Sequence, residues 1–304
     1  MFAPLCIGSA YHCSVQLQQL RYFVAVADLG HFTRAADHLH VAQPSLSQQI
    51  RSLERELGSE LVHRGRGHST LTDAGQALLP LARRILADAD SARVAVRETL
   101  SLRRGRVRLG APPSLCTSLV PDVLHAYRTR YPGVELQVRE DGSRDLVRVL
   151  AAGELDLALI VTPTDAPGLA LTELLREDLV LVSARPLFPR PRRARIEDLR
   201  ERPLVMFREG YDVREATLAA CRAAGFSPEF AVEGGEMDAV LSFVQAGLGA
   251  AVVPGMVAAR TGLTATPFTS PAMRRTINLA HGAEVPLSRA ASAMREVLLE
   301  YAKS

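Results

Sequence analysis

The chain's 304 residues suffice for about two domains, and a composition of 47% hydrophobic, 23% charged and 5% aromatic residues argues against disorder or a fibrous repeat. No run of about 18 apolar residues appears, which argues against a membrane span. The four cysteines (Cys6, Cys13, Cys116, Cys221) form no CxxC pair and have no histidine in ligand spacing, so neither zinc nor a disulfide framework is supported, and no cofactor is expected. The formal charge of +3 resides in residues 1–105, where twelve arginines face nine acids, while residues 106–304 are balanced. So small an excess permits nucleic-acid binding without demonstrating it.

Residues 1–14 lack a basic start and a continuous apolar stretch, so they do not read as a signal peptide, and the expected compartment is the cytoplasm. Leu17, Leu20, Phe23, Val24 and Ala27 then recur at helical spacing until Gly30. Phe32–Leu39 is a short second helix with Thr33 placed to cap or start it, and His40-Val41 makes a turn. Gln43 to Leu57 follows as a longer helix with Leu46, Ile50, Leu53 and Leu57 on one stripe, Pro44 in its first turn and Gly58 at its end. Two helices joined by so short a turn make a helix-turn-helix candidate. Opposite the apolar stripe lie Gln43, Ser45, Ser47, Gln48, Gln49, Arg51 and Ser52, groups able to bond base edges, although any surface helix has a polar face.

Leu61 to Leu71 has the pattern of a hairpin whose glycine-rich tip carries Arg64 and Arg66, suited to a wing touching phosphate and equally to a plain basic loop. Thr72 can cap a helix running to about Arg103, with Leu78, Leu81, Ile85, Ala92, Val96 and Leu100 on a seam broken by Asp88. That length suits a linker and a surface for pairing two DNA modules.

Beyond Gly105 the pattern becomes strand, helix, strand, helix, strand: Val107–Gly110, Ser114–Tyr131, Val134–Glu140, Leu146–Ala152, and Leu155–Val161, the sign of a parallel sheet in an α/β fold. Strands at Leu179–Ser183, Leu204–Phe207, Phe230–Val232, Ala250–Val253, Thr264–Phe268 and Ile277–Ala280 and helices at Val213–Ala224, Glu236–Ala246 and Leu287–Tyr301 complete two α/β lobes. Open parallel sheets bind ligands at the carboxyl ends of their strands, against helix N-termini that favour anions. The loops Ala111–Thr117, Asp141–Ser143, Arg208–Asp212 and Gly234–Met237 are therefore the candidates.

The stretch FTRAADHLHVAQPSLSQQIRSLERELGSELVHR, followed by LTDAG, resembles the N-terminal region of LysR-type transcriptional regulators. GRVRLG, LAAGELDLALIV and VQAGLGAAVVP extend the resemblance over almost the whole chain. It implies a winged helix-turn-helix at residues 15–72, a linker and dimerisation helix at 73–104, and a two-lobed effector domain like periplasmic binding proteins at 105–304. Lobe 1 would take residues 105–163 and 268–304, lobe 2 residues 164–267. Relatives begin just before the position of Leu17, so residues 1–14 would be a disordered extension or a mis-assigned start, with Val15 as the alternative first residue.

By the same resemblance Gln43, Pro44, Ser47 and Gln48 face bases with Arg51 nearby, Thr33 and Arg34 hold phosphate, and Arg64 and Arg66 serve the wing. Gln48 stands where many relatives carry Arg, trading a guanine contact for an amide suited to adenine. Effector groups fall at Pro113, Ser114, Ser143, Tyr211, Asp212, Glu236, Met237 and Val253. The implied partners are double-stranded DNA bearing an interrupted inverted repeat, a small-molecule effector of organic-acid type, RNA polymerase, and further copies of the chain. Asp212 would oppose an anion, leaving an amine or neutral polar ligand open.

Three rivals compete. An enzyme needs a nucleophile, base and orienter within reach, and no GxSxG, HExxH, GxGxxG or Walker pattern occurs. A redox sensor on the same scaffold would use Cys116 and Cys221, although a buried inert thiol is the commoner fate. A solute-binding protein would need neither the N-terminal module nor a cytoplasmic address.

Overall fold

The computed structural model describes residues 15–65, 68–98, 105–269 and 273–303. The segment 1–14, Arg66 of the expected wing, and residues 99–104 of the expected linker helix lie outside the described residues. Contacts divide the chain into two units, one ending at Ser91 and one beginning at Ala92.

In the first unit, helices α1 (Leu17–Leu29), α2 (Phe32–His38) and α3 (Gln43–Leu57) precede a hairpin of β1 (Val62–Arg64) and β2 (Ser69–Leu71), and α4 (Asp73–Glu98) begins there and runs past the division at Ser91. Gly30 (φ 63°) and Gly58 (φ 69°) end α1 and α3 in the left-handed conformation that glycine adopts at no steric cost. The N-cap of α2 is His31, which makes no side-chain cap bond, so Thr33 lies inside the helix instead of capping it. Thr72 does cap α4, its Oγ1 accepting from the Gly75 amide at 3.0 Å.

Leu46, Ile50 and Leu53 of α3 are fully buried with Phe23, Val26, Ala35 and Ala36. Each of the three contributes about 1.5–3 kcal/mol by leaving water. Leu57, expected on the same stripe, is 39% exposed at the helix's last turn. Gly75 lets α4 start against the hairpin, since a Cβ there would come within 2.1 Å of the Leu61 carbonyl oxygen. Arg83 paired with Asp28, and Arg21 paired with Asp90 at 3.6 Å, tie α4 to α1.

The second unit carries the expected parallel core. β3 (Arg106–Ala111) pairs in parallel with β4 (Glu135–Glu140) and with β5 (Leu157–Thr162). The single helix expected over Ser114–Tyr131 is two, α5 (Pro113–Cys116) and α6 (Val120–Arg130), with Pro121 in the first turn of the second. Proline is accommodated there because the missing N–H has no intrahelical partner to lose. α7 is Ser143–Ala151. β6 (Leu169–Ser183) is much longer than the expected Leu179–Ser183: its first part pairs with β11 (Arg274–Gly282), and its last residues pair with β9 (Ala251–Pro254) and β10 (Thr264–Pro267). One strand thus runs through both lobes.

The second lobe adds a short 3-10 turn at Ile196–Leu199, the parallel pair β7 (Leu204–Met206) and β8 (Phe230–Glu233), and helices α8 (Asp212–Ala223), α9 (Met237–Gln245) and α10 (Gly255–Ala258). α11 (Arg289–Tyr301) closes the chain against the first lobe, where the Tyr127 hydroxyl of α6 donates to the Ala290 carbonyl at 2.9 Å. Each lobe has its own apolar core, around Leu109, Tyr127, Leu159 and Met294 in one, and around Leu181, Phe207, Val240 and Val253 in the other.

Candidate nucleic-acid face and effector cleft

In the first unit the helical period separates two faces of α3. Gln43, Pro44, Ser45, Gln48, Arg51 and Arg55 are exposed, while Leu46, Ile50 and Leu53 fill the core. Pro44, Gln48, Arg51 and Arg55, spaced four, three and four residues apart, share one outward stripe. Ser47, expected among the base-facing residues, is only 9% exposed and turns toward the packed side beside Leu46. Thr33 and Arg34 are exposed on the first turn of α2. His40 takes φ 54° between α2 and α3, the left-handed kink that sets the turn.

The hairpin is docked on the corner after α1, where the Ser69 amide donates to the Gly30 carbonyl at 2.8 Å and the His31 and His68 rings meet edge-on, 5.7 Å between centroids. Arg64 ends β1 opposite Ser69 in register, so the backbone places it at the hairpin's tip.

In the second unit the loops at the carboxyl ends of β3 and β4 meet the N-terminus of α8. Pro112, Pro113, Ser114, Gly142, Gly210, Tyr211, Asp212, Val213 and Arg275 line a cleft enclosing about 10 Å³, the room of a single water. Of the expected effector residues, Pro113, Ser114, Tyr211 and Asp212 line it directly. Ser143 is one hydrogen bond away: its hydroxyl donates to Asp212 Oδ2 at 2.8 Å and accepts from the Val161 amide at 3.0 Å. Glu236 is exposed, its carboxylate held by Arg208 at 2.8 Å. Met237 and Val253 are 1% and 0% exposed inside the second lobe's core and do not line the cleft.

Arg275 is the cleft-lining residue that sequence reasoning missed. It is 5% exposed, donates Nη1 to Ser114 Oγ at 2.8 Å, and spends Nε on Glu177 Oε1 at 2.7 Å. Glu177 is itself buried and its second oxygen accepts from the Met256 amide at 3.2 Å. No signal distinguishes Arg275 in the sequence, since its neighbour Arg274 points to an exposed pair with Asp178.

Electrostatics divide the cleft. Burial raises the Asp212 carboxyl above its ordinary value, against the opposing pull of the Ser143 bond and the Arg275 charge. Burial, with help from Glu236, also raises the phenol of Tyr211, whose buried hydroxyl lacks a hydrogen bond of ordinary geometry among the described residues. Glu140 is raised by burial and by the neighbouring charges of Glu236 and Asp238.

The two candidate redox cysteines belong to different cores, Cys116 packing on the first lobe and Cys221 lying in the second. Burial pushes the Cys116 thiol up to about 12 and the Cys221 thiol up to about 11. Thiolate is the reactive form, so both are poorly placed for oxidation. Among the described residues no group of three or more His, Cys, Asp or Glu could hold a metal, and no helix is long and apolar enough to cross a membrane.

An exposed polar helix face on a three-helix and hairpin module, joined to a two-lobed α/β unit with a polar cleft, defines a ligand-responsive DNA-binding regulator. Residues 17–76 match the family described as "Bacterial regulatory helix-turn-helix protein, lysR family", and residues 101–303 match the "LysR substrate binding domain". The chain belongs to the LysR family of transcriptional regulators, with a helix-turn-helix followed by an effector-binding domain.

It is similar to the transcriptional dual regulator GltC of Bacillus subtilis, 32% identical over 292 residues that cover 94% of this chain and 97% of that protein. It is also similar to a probable hydrogen peroxide-inducible genes activator of Mycobacterium avium, 34% identical over 267 residues and 86% of each chain. Full-length CbnR complexed with its target DNA superposes with a TM-score of 0.69 at 26% identity, covering 94% of this chain and 100% of that one.

Proposed function

We propose that this regulator reads operator DNA through the outward face of α3 and adjusts its grip when a small organic acid occupies the cleft. The carrying observation is the two-faced α3: Leu46, Ile50 and Leu53 wholly buried, Gln48 and Arg51 in solvent on the opposite side, and Gln43 exposed at the helix's first residue. An amide bonds adenine and a guanidinium bonds guanine in the major groove. Gln43 and Gln48 are therefore assigned to adenine and Arg51 to guanine, with Thr33 and Arg34 on phosphate and Arg64 and Arg66 on the backbone beside the wing. CbnR, solved with its target DNA, supports the assignment of the duplex as partner.

Leu81 and Ile85 of α4, 57% and 45% exposed, are apolar positions for which a second copy supplies the cover. Pairing two modules sets recognition helices one helical turn, ~34 Å, apart and makes an interrupted inverted repeat the target. A dimer of dimers positions the bound DNA for RNA polymerase. The protein acts in the cytoplasm and catalyses no reaction.

Supporting an acidic effector are the Ser114 hydroxyl, Arg275 Nη1, and the N-termini of α7 and α8, which favour negative charge. Asp212 opposes an anion only while ionised. Its raised pKa makes it a proton donor to the ligand as pH falls. The cleft is too small for a metabolite as it stands, so binding must part the two lobes' loops, and the difference in affinity between closed and open forms is the coupling, typically ~1–3 kcal/mol.

The peroxide-linked relatives bring a redox reading into view, and the two raised thiols in separate cores weigh against it. The deciding experiment compares Arg51→Ala with Arg64→Ala on operator and random duplex. The first should lose discrimination between them; the second should weaken both alike and flatten the salt dependence. Identical losses on both duplexes in both variants would remove the distinction between base and backbone contacts.

A further inference from the structure

We propose that the arginine-rich loop between β6 and β7 is a second DNA contact, gripping duplex phosphates outside the operator. Seven arginines stand between Arg185 and Arg202 against three acids, Glu197, Asp198 and Glu201, a surplus of four inside a region (106–304) whose total charge is zero. Among the described residues only Arg192 of the seven is ion-paired, with both guanidinium nitrogens on Asp198 at 2.8 Å. Arg185, Arg190, Arg195 and Arg200 are exposed.

The loop is held, which separates it from an ordinary solvated run of charge. Ala194 is fully buried and bridges to Phe268, with its amide on the Pro267 carbonyl at 2.9 Å and its carbonyl accepting from the Thr269 amide at 2.8 Å. Arg193 Nη1 donates to the Phe268 carbonyl at 3.1 Å, and the Arg192 guanidinium lies 3.6 Å from the centroid of the Phe188 ring. Anchored this way, the loop presents its remaining guanidinium groups with less ordering left to lose on binding.

The chemistry favours phosphate over an acidic protein surface. Guanidinium forks match phosphate oxygens in pairs and need no apolar anchor, whereas protein interfaces gather around buried aromatic or aliphatic side chains. None of the chain's exposed large hydrophobic side chains lies in this loop. The inference rests on the reading that α3 binds operator DNA, for the tether raises the local concentration of flanking duplex and makes weak contacts count.

The test uses the full chain and two duplexes, one ending at the operator and one extended on both sides. Combining Arg185→Ser, Arg190→Ser and Arg195→Ser should lower the slope of log K against log salt by about 2–3 on the extended duplex, from about 0.9 per lost phosphate contact, and leave the short duplex unchanged. Lysine at the three positions should restore the slope, which guards against a folding defect. Equal slopes for wild type and variant on the extended duplex would overturn the proposal, as would equal losses on both duplexes. Lost transcription with unchanged DNA binding would also overturn it, by assigning the loop to a protein partner. A wild type that ignores operator sequence but keeps the length-dependent slope would sink the recognition-helix reading and leave the loop's contact standing.

Discussion

Along α3, Gln43, Gln48 and Arg51 stand in solvent on a helix whose other side is fixed by three fully buried apolar residues. In the cleft, Ser114, Ser143, Asp212 and Arg275 are bonded to one another or to Glu177, and almost no space remains between them. The contrast matches the two tasks proposed for them. A surface that reads DNA keeps its donors and acceptors open for a partner supplied from outside. A ligand cleft that switches can satisfy its own polar groups, so that a ligand must replace existing bonds and in doing so changes how the lobes meet.

The comparison breaks most readily at Arg275. Arg275→Ala leaves Glu177 buried without its cation and should cost about 3–5 kcal/mol, seen as a lower denaturation midpoint. The double variant Arg275→Met with Glu177→Leu should recover most of that loss and yet abolish ligand-induced melting shifts, because it removes the buried charge and the polar contact together. Recovery of those shifts would show that Arg275 serves stability alone.

On the open face, Arg51→Ala should leave stability within about 0.5 kcal/mol of wild type and cost about 1–3 kcal/mol of discrimination at one base position. Competition between single-base operator variants measures it. Gly30→Ala sharpens the boundary between reading and support. At φ 63° a side chain is strained and a Cβ would stand 2.8 Å from the His68 ring, which must turn aside, so a loss of about 1–2 kcal/mol in stability is expected, read by thermal melting.

A smaller effect is the pH response of the cleft. Asp212 keeps its proton to higher pH in the folded chain than in the unfolded one. The folded state therefore binds more protons between the ordinary carboxylate value and the raised one, and stability falls as pH rises through that window. Asp212→Asn should flatten the dependence, and a carboxylate ligand should stabilise wild type more as pH is lowered. Smallest of all, peroxide acting at Cys116 or Cys221 should leave operator affinity unchanged, since burial raises both of these thiols. An affinity change that Cys221→Ser abolished would replace the metabolite with an oxidant.

The module that reads DNA was legible because its signals are local. Apolar spacing, Gly30, Pro44 and Gly58 specify α1 to α3 within a few residues of one another. Ser47 escaped because a polar residue at the edge of an apolar stripe faces either way, and only packing beside Leu46 decides. The first part of β6 was hidden by Glu173, Arg176 and Asp178, exposed charges that read as loop until the strand pairs with β11.

The cleft was legible as a set of loops, through the rule that parallel strands end at binding sites, and within them the family resemblance picked out Pro113, Ser114, Tyr211 and Asp212, which line the cleft. Arg275 reaches them from β11, about a hundred and sixty residues beyond Ser114, and only the sheet order brings it there. Met237 and Val253 sit beside those loops in sequence and point into the core instead.

The central claim is that the outward face of α3 inserts into a specific duplex. Competition binding at physiological ionic strength, with the region upstream of the protein's own gene set against a scrambled duplex of equal length and composition, tests it most directly. A preference of at least about 10³-fold, which Arg51→Ala reduces, is the predicted result. Equal affinity for the two duplexes would contradict it.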